Sequence, residues 1–320
     1  MSYRVAFRLA ALALAACAAS TLHAAPATAV ATPVAHAVAV SPAAETFTVG
    51  TLKVERFGKA GKAVILIPGL AGGPWVWSDT IASLSKDHTV YAVTLAGFDG
   101  TAAPTAGGNW LDLADASLAD LVRQKHLQSG IVVGHSLGGT IALRFAGRHP
   151  DLTAGVVAVD GLPIFPGMDR VTPDQRDAFA ASMRAKIEGA TPEAFQAQQL
   201  GYMQKIGTLD PATAERVAPL NGRSDPKAVA RYMAEDVTAD FRPVLKDATP
   251  PILEISPYNA PDFASGPMAM SEAQKTAYYA SLLSTAPHAQ VISISPSRHY
   301  VMLDQPVAFQ KALADFIQAH

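Results

Sequence analysis

The sequence predicts an α/β fold: a mostly parallel central sheet flanked by helices, with a helical cap inserted between the sixth and seventh core strands. Three observations predict it. From about residue 45 onward, short β-rich runs alternate with stretches of helical periodicity. One of those runs ends in a serine set among glycines. Between Gly161 and Asp247 the alternation stops, and helix signals follow one another instead.

The elements follow in chain order. Phe47 to Val49 and Leu52 to Phe57 are β-rich and joined through Gly50, which predicts an opening antiparallel pair. Parallel strands are expected at Val64 to Ile67, Val90 to Thr94, Ile131 to Val133, Val156 to Val159, Ile252 to Ile255 and Val291 to Ile294. Apolar residues recur at helical spacing over Trp75 to Ser85, Leu111 to Leu127, Leu137 to Arg148, Glu272 to Leu283 and Pro306 to Gln318. Trp75 and Trp77 read as packing residues of the first of these. Asp304 reads as the cap of the last helix, with Pro306 in its first turn.

Within 161–247, Thr172-Pro173, Thr191-Pro192 and Asp225-Pro226 each place a good N-cap before a proline suited to the first helical position, so at least three helices follow in succession. Met168, Met183, Met203 and Met233 recur there. Flexible thioethers suit a surface that fits a greasy substrate, and they serve equally well as core filling. Pro257 to Met270 is longer than a strand-to-helix connection needs, which predicts a second wall over the site with Phe263, Met268 and Met270 lining it.

The N-terminus reads as an export signal over residues 1–24. Arg4 and Arg8 precede an Ala/Leu run from Leu9 to Ala19, too short to span a bilayer. Cleavage after Ala24 would free a soluble protein, although Leu22 is large for its position. Alternatively, Leu14-Ala15-Ala16-Cys17 resembles the bacterial lipobox, which would anchor the chain through a lipid on Cys17. Either route places the protein in the periplasm or outside the cell. Residues 25–44, rich in Ala, Pro, Thr and Val without amphipathic period, read as a linker, and 45–320 as one domain.

Composition limits the partners. A hydrophobic fraction of 49% over 320 residues supports a single large core, and a formal net charge of -2 with scattered basic residues makes no case for nucleic acid. Cys17 is the only cysteine, which excludes an internal disulfide, and no histidine pair has metal-ligand spacing. No cofactor and no metal are expected.

The chemistry sits in Ile131 to Gly139, IVVGHSLGG. A serine hydroxyl is a poor nucleophile until a base takes its proton, and a sharp strand-to-helix turn lifts the Ser136 oxygen toward such a base. Gly134, Gly138 and Gly139 permit that turn and let the following helix lie close to the strand.

With this motif the chain resembles the α/β-hydrolase family from about Phe47 to the C-terminus. Ala63 to Gly73, AVILIPGLAGG, is similar to the family's strand and oxyanion loop, with Pro68-Gly69 where many members carry His-Gly. The resemblance implies that the backbone amides of Leu70 and Leu137 hold the oxyanion, each worth about 3 kcal/mol. It also implies that His299, in the loop after the last strand, is the base. His135, His88 and His149 read as structural or solvated.

The acid is where this chain departs from the family. Members usually carry it shortly after the strand at Ile252 to Ser256, where Ala260 stands here. Asp160, at the tip of the preceding strand, is the preferred acid. An unpartnered carboxylate there would be costly to desolvate, and an imidazolium on His299 would partner it. Asp262 is the alternative, if the loop bulges.

The expected function is an exported serine hydrolase that cleaves a carboxylic ester or related acyl bond of an apolar small molecule. Amide or carbon–carbon bond hydrolysis would use the same parts. The contrasting reading is a non-catalytic binding protein whose acid has decayed, motivated by Ala260.

Overall fold

The computed structural model describes residues 42–320, so the segment expected to be an export signal, Cys17 and most of the expected linker lie outside the described residues. At the border, the Ala44 amide already donates to Arg56 O at 2.8 Å, so pairing at the sheet edge starts just before residue 45.

Eight strands form one sheet: β1 Glu45–Val49, β2 Leu52–Phe57, β3 Ala63–Ile67, β4 Thr89–Leu95, β5 Ile131–His135, β6 Gly155–Val159, β7 Ile252–Pro257 and β8 Ala289–Ile294. Their order is β1-β2-β4-β3-β5-β6-β7-β8. The first two strands run antiparallel, and every pair from β4 onward is parallel. The mostly parallel sheet expected from the sequence is thus present. β5, β6 and β7 are buried along their whole length, which is why they read as unbroken apolar runs rather than alternating ones.

Helices cover the faces. In chain order they are α1 Ser78–Leu84, α2 Trp110–Lys125, α3 Leu137–Arg148, α4 Pro173–Glu188, α5 Pro192–Tyr202, α6 Pro211–Asn221, α7 Pro226–Thr238, α8 Glu272–Leu282, the short α9 Val301–Asp304, and α10 Pro306–Ala319. One expected helix is broken in two, because Pro74–Trp77 forms a 3₁₀ turn ahead of α1. Both tryptophans pack as expected: Trp77 is fully buried and Trp75 stacks on Tyr300 at 6.2 Å.

Between β6 and β7 lie α4 to α7. Thr172, Thr191 and Asp225 each cap a helix with proline in its first turn, and the same Asp-Pro pattern at Asp210-Pro211 starts α6. The insertion closes on itself at its base. Phe241 N donates to Pro163 O at 2.7 Å, beside an antiparallel bridge between Ile164 and Asp240. Its methionines serve both roles: Met168, Met183 and Met203 are buried in apolar clusters, and Met183 and Met233 border a cavity.

Asp304 does not cap the last helix. Gln305 holds that position without a side-chain bond, and Asp304 ends α9 instead, accepting from Leu209 N at 2.9 Å and Arg298 N at 2.8 Å. The carboxylate is drawn to two loop amides that have no helical acceptor. Those bonds tie the loop after β8 to the inserted helices.

Candidate active site

Ser136 follows β5 directly, with φ +52° and ψ −122°, a conformation that L residues rarely adopt. The turn is held by Ser136 N donating to Val159 O at 2.9 Å, and by an approach so close that a Cβ on Gly138 would stand 2.3 Å from Ile67 O. From Ile131 to Gly147 every residue is buried except Ser136, so the elbow delivers one side chain to the surface of a cavity. That cavity holds about 470 Å³ and is bordered by Leu70, Ser136, Leu137, Asp160 and His299.

These five residues come from the C-terminal edge of the sheet, after β3, β5, β6 and β8, where parallel sheets place their sites. Leu137 opens α3, so its amide has no acceptor within the helix. The loop carrying Leu70 lies tightly against the elbow: a Cβ on Gly69 would stand 2.8 Å from His135 Nδ1 and 2.9 Å from Ser136 Cβ. Among the described residues neither amide donates to a backbone carbonyl.

His299 and Asp160 meet. His299 Nδ1 lies 2.5 Å from Asp160 Oδ2. A carboxylate can only accept, so Nδ1 carries the proton and Nε2 is left as the basic nitrogen. Asp160 also has positive φ, +50°, at the tip of β6, and its amide is fixed by Ile255 O at 3.0 Å. Two non-glycine residues in the left-handed region, on adjacent strand tips, mark where the backbone is bent to present side chains.

Asp262 goes elsewhere. Its carboxylate takes both Arg298 Nε and Nη2, at 2.8 and 2.9 Å, together with Asn259 Nδ2 at 2.8 Å. The Arg298 hydrogen bonds hold its carboxyl below the usual range against a modest desolvation, with Asn259 assisting. It lines the same cavity without touching His299. Phe263, Met268 and Met270 line it too, and Tyr258 secures that segment by stacking on Phe263 at 5.3 Å and donating to Met270 O at 3.0 Å.

Several residues in the site escaped the sequence reading. Tyr279 Oη donates to Asp160 Oδ1 at 2.5 Å, and Lys275 Nζ lies 4.0 Å from the same oxygen while donating to Pro257 O. Burial alone would raise the Asp160 carboxyl. The Lys275 charge, His299 and Tyr279 together outweigh it, so the group lies well below the ordinary carboxylate range. Burial, reinforced by Asp160, pushes the Tyr279 phenol up and keeps it a donor. A signal was present: the buried stripe of α8 is Lys275, Tyr279 and Leu282, an apolar face that begins with a lysine.

His135 is structural rather than solvated. It is fully buried, and its Nε2 lies 3.1 Å from His299 O, so it positions the backbone of the neighbouring imidazole. Burial, with help from His299, pushes it well below the ordinary histidine range and keeps it neutral. The cap also grips this loop. Residues Met203–Gly207 form a π-turn whose Ile206 and Gly207 carbonyls accept from His299 N at 3.1 Å and Tyr300 N at 2.9 Å. Tyr202, just before it, sets its ring edge-on to His299 at 6.1 Å.

Among the described residues no three His, Cys, Asp or Glu side chains are grouped to hold a metal ion, and no helix is long and apolar enough to cross a membrane.

Known proteins share this arrangement of elements. The chain is 27% identical over 282 residues to a 2-(acetamidomethylene)succinate hydrolase of Mesorhizobium japonicum, covering 84% of this chain and 92% of that one. It is 25% identical to a pimeloyl-[acyl-carrier protein] methyl ester esterase of Yersinia enterocolitica, over 82% of this chain and 95% of the relative. Among solved structures, an esterase from Exiguobacterium antarcticum superposes with a TM-score of 0.68 at 16% identity, covering 84% of this chain and 98% of that one. The sequence profile of the alpha/beta hydrolase family matches residues 64–312, and the chain belongs to that family.

Proposed function

We propose that this hydrolase is an exported serine esterase, cleaving a carboxylic ester or related acyl bond through an acyl-enzyme. The observation that carries the reading is the 2.5 Å contact between His299 Nδ1 and Asp160, which leaves Nε2 basic on the wall of the cavity that Ser136 enters. In the first half-reaction His299 Nε2 removes the Ser136 proton as Oγ attacks the carbonyl carbon. The Leu70 and Leu137 amides face the developing oxyanion, and the imidazolium, stabilised by Asp160, returns the proton to the departing alcohol. In the second, water loses a proton to Nε2, attacks the acyl carbon, and releases the acid with Oγ reprotonated.

An ester is favoured over other acyl bonds because one relative is named for a methyl ester and the cavity wall is largely apolar. With Asp160 hydrogen-bonded to His299, an alanine at 260 no longer argues for a decayed acid. Export rests on Arg4, Arg8 and the Leu9 to Ala19 run, with Cys17 as the alternative point of processing.

The test is Ser136→Ala. Stoichiometric labelling by a fluorophosphonate should disappear with it, and hydrolysis of p-nitrophenyl esters should fall about 10⁴-fold or more. Undiminished ester turnover in that variant would reject the nucleophile. No labelling of folded wild-type protein would favour a binding protein instead.

A further inference from the structure

The loop that carries Leu70 is a tight turn. Gly72 N donates to Gly69 O at 3.0 Å, so Leu70 and Ala71 are its two central residues, and of the two only Ala71 has positive φ, +61°. That is the type II pattern, in which the third position is ordinarily glycine. An alanine keeps such a conformation only where its surroundings hold it. Ala71 is buried, and its carbonyl is held from outside the loop.

The hold comes from the inserted helices. Ser224, in the connection between α6 and α7, donates from Oγ to Ala71 O at 2.9 Å, and the same oxygen accepts from Asp99 N at 3.0 Å. Ser224 is buried, and the backbone on either side of it is pinned to the loop after β4. Gly100 N donates to Arg223 O at 3.2 Å, and Asp225 N donates to Gly97 O at 2.8 Å. A hydroxyl fixed in this way has one proton to give, and it gives that proton to the turn.

These bonds all run in one direction. The Asp99 amide donates to the Ser224 hydroxyl, the hydroxyl to Ala71 O, and the N–H of that same peptide group, Gly72 N, to Gly69 O. The Gly69 carbonyl in turn belongs to the peptide group whose N–H is that of Leu70. A peptide group that accepts at oxygen becomes a stronger donor at nitrogen, so each bond in the series polarises the next. The last N–H is the one that faces the developing oxyanion, a step that rests on the serine esterase reading above.

We propose that Ser224 is a positioning residue for hydrolysis: its hydroxyl, acting through the Ala71–Gly72 and Gly69–Leu70 peptide groups, aims and polarises the oxyanion donor. One connection of the inserted helices thereby completes the oxyanion site, in addition to whatever the helices do for substrate. Without the hydroxyl the Ala71 carbonyl loses its buried partner, and the strained turn loses what holds it.

The experiment compares a p-nitrophenyl ester with the matching O-p-nitrophenyl thionoester in the wild type, Ser224→Ala, Ser224→Cys and Arg223→Gln. Sulfur is a weaker acceptor on a longer bond, so donors fixed for an oxyanion serve it less well, and the wild type should favour the ester. Ser224→Ala should lower kcat/KM for the ester about 10-fold, less than outright loss of an oxyanion donor would cost, and should lower the ester-to-thionoester ratio by the same factor. Ser224→Cys is nearly isosteric and keeps a weak donor, so it should show about a 3-fold loss and carries the comparison if the alanine variant does not fold. Arg223→Gln removes the adjacent ion pair with Asp99, at 2.9 Å, and spares the hydroxyl, so the ratio should stay at the wild-type value. A wild type that hydrolyses ester and thionoester alike overturns the inference without any variant. Wild-type kcat/KM in the Ser224 variants overturns it, as does a loss shared equally by both substrates, which would make Ser224 a packing residue. An Arg223→Gln enzyme whose ratio falls as far as that of Ser224→Ala also overturns it, since docking of the inserted helices as a whole would then be the cause. Fluorophosphonate labelling of Ser136 separates the two levels: labelled variants with an unmoved ratio reject this inference alone, and an unlabelled wild type rejects the serine hydrolase reading itself.

Discussion

Arg298 and His299 are consecutive residues, and each takes a different carboxylate. His299 holds Asp160 through one short bond in a pocket where both side chains are about 15% exposed, while Arg298 holds Asp262 bidentately at the rim, with exposures of 21% and 32%. The difference lies in what fixes each acid. Asp160 follows β6 without a spacer, and β6 is in register with β5, so the same ladder that places Ser136 places Asp160 beside it. Asp262 sits in a 3₁₀ turn beyond β7, positioned by its own loop and by the arginine. An acid placed by the sheet can serve an imidazole to within tenths of an ångström; an acid placed by a loop here braces the loop.

The sharpest way to break this comparison is Asp160→Asn. Its side chain keeps the shape but removes the charge that stabilises an imidazolium, and it no longer enforces the Nδ1–H form of His299. A loss of about 10³- to 10⁴-fold in kcat is expected, with fluorophosphonate labelling slowed to match. Wild-type turnover in this variant would transfer the acid's role elsewhere.

Next in size come the residues that hold Asp160 in its ionised form. Lys275→Met removes the nearest cation and should cost about 10-fold in kcat. Tyr279→Phe removes one hydrogen bond and should cost less, about 3- to 10-fold. The pH profile distinguishes this from a general loss of packing. Asp160 is a carboxyl whose pKa is depressed on folding, so the stability it contributes is present above the unfolded value near 4 and is lost as pH falls through the lower folded value. Without Lys275 the folded value rises, so both the acid limb of activity and the acid unfolding transition should move to higher pH. A change in kcat with an unmoved profile would make Lys275 a packing residue only.

Much of this was readable in the sequence because it rests on local chemistry. Unbroken β-branched runs gave away the buried parallel strands, and proline after a cap residue gave away the inserted helices. Asp210-Pro211 carries that same signal and marks α6. The elbow, the glycine loop after β3 and the two candidate acids were legible as short patterns. What could not be read depends on pairing between distant segments. Lys275 and Tyr279 look like ordinary positions of a helix until α8 is laid beside the tip of β6. Asp304 was misread for the same reason, since two amides from other loops compete for a carboxylate that sequence alone assigns to the nearest helix.

A third carboxylate extends the comparison. Glu254 of β7 is fully buried, and burial, followed by the nearby Asp160 charge, pushes it well above the ordinary range despite Lys275. Two acids therefore share one lysine, and the one bonded to His299 keeps the negative charge. The sign of the linkage is opposite to that of Asp160. Above its unfolded pKa near 4.3 the unfolded chain binds fewer protons at Glu254 than the folded one, so this residue lowers stability as pH rises, by about 1.4 kcal/mol per unit until the folded value is reached. Glu254→Gln removes that dependence. Denaturant midpoints at pH 5 and pH 7 should show the variant gaining about 1 kcal/mol or more on the wild type across the interval. Parallel profiles would mean that Glu254 is ionised and that Lys275 belongs to it.

The smallest effect belongs to the other half of the opening pair. Asp262→Asn leaves Arg298 with Gln204 O at 2.9 Å and Thr208 O at 3.1 Å, so the arginine keeps its anchor on the inserted helices. The lost pair is partly solvated and worth below about 1 kcal/mol, which for a domain of this size lowers Tm by about 2 °C. Because Asp262 never reaches His299, kcat should change less than about 3-fold, within what a slightly looser rim would do to positioning. The change should grow for bulky acyl chains that press on Phe263, Met268 and Met270, and a series of p-nitrophenyl esters of rising length would show it. A uniform loss across the series, equal to that of Asp160→Asn, would erase the distinction between an acid set by the sheet and one set by a loop.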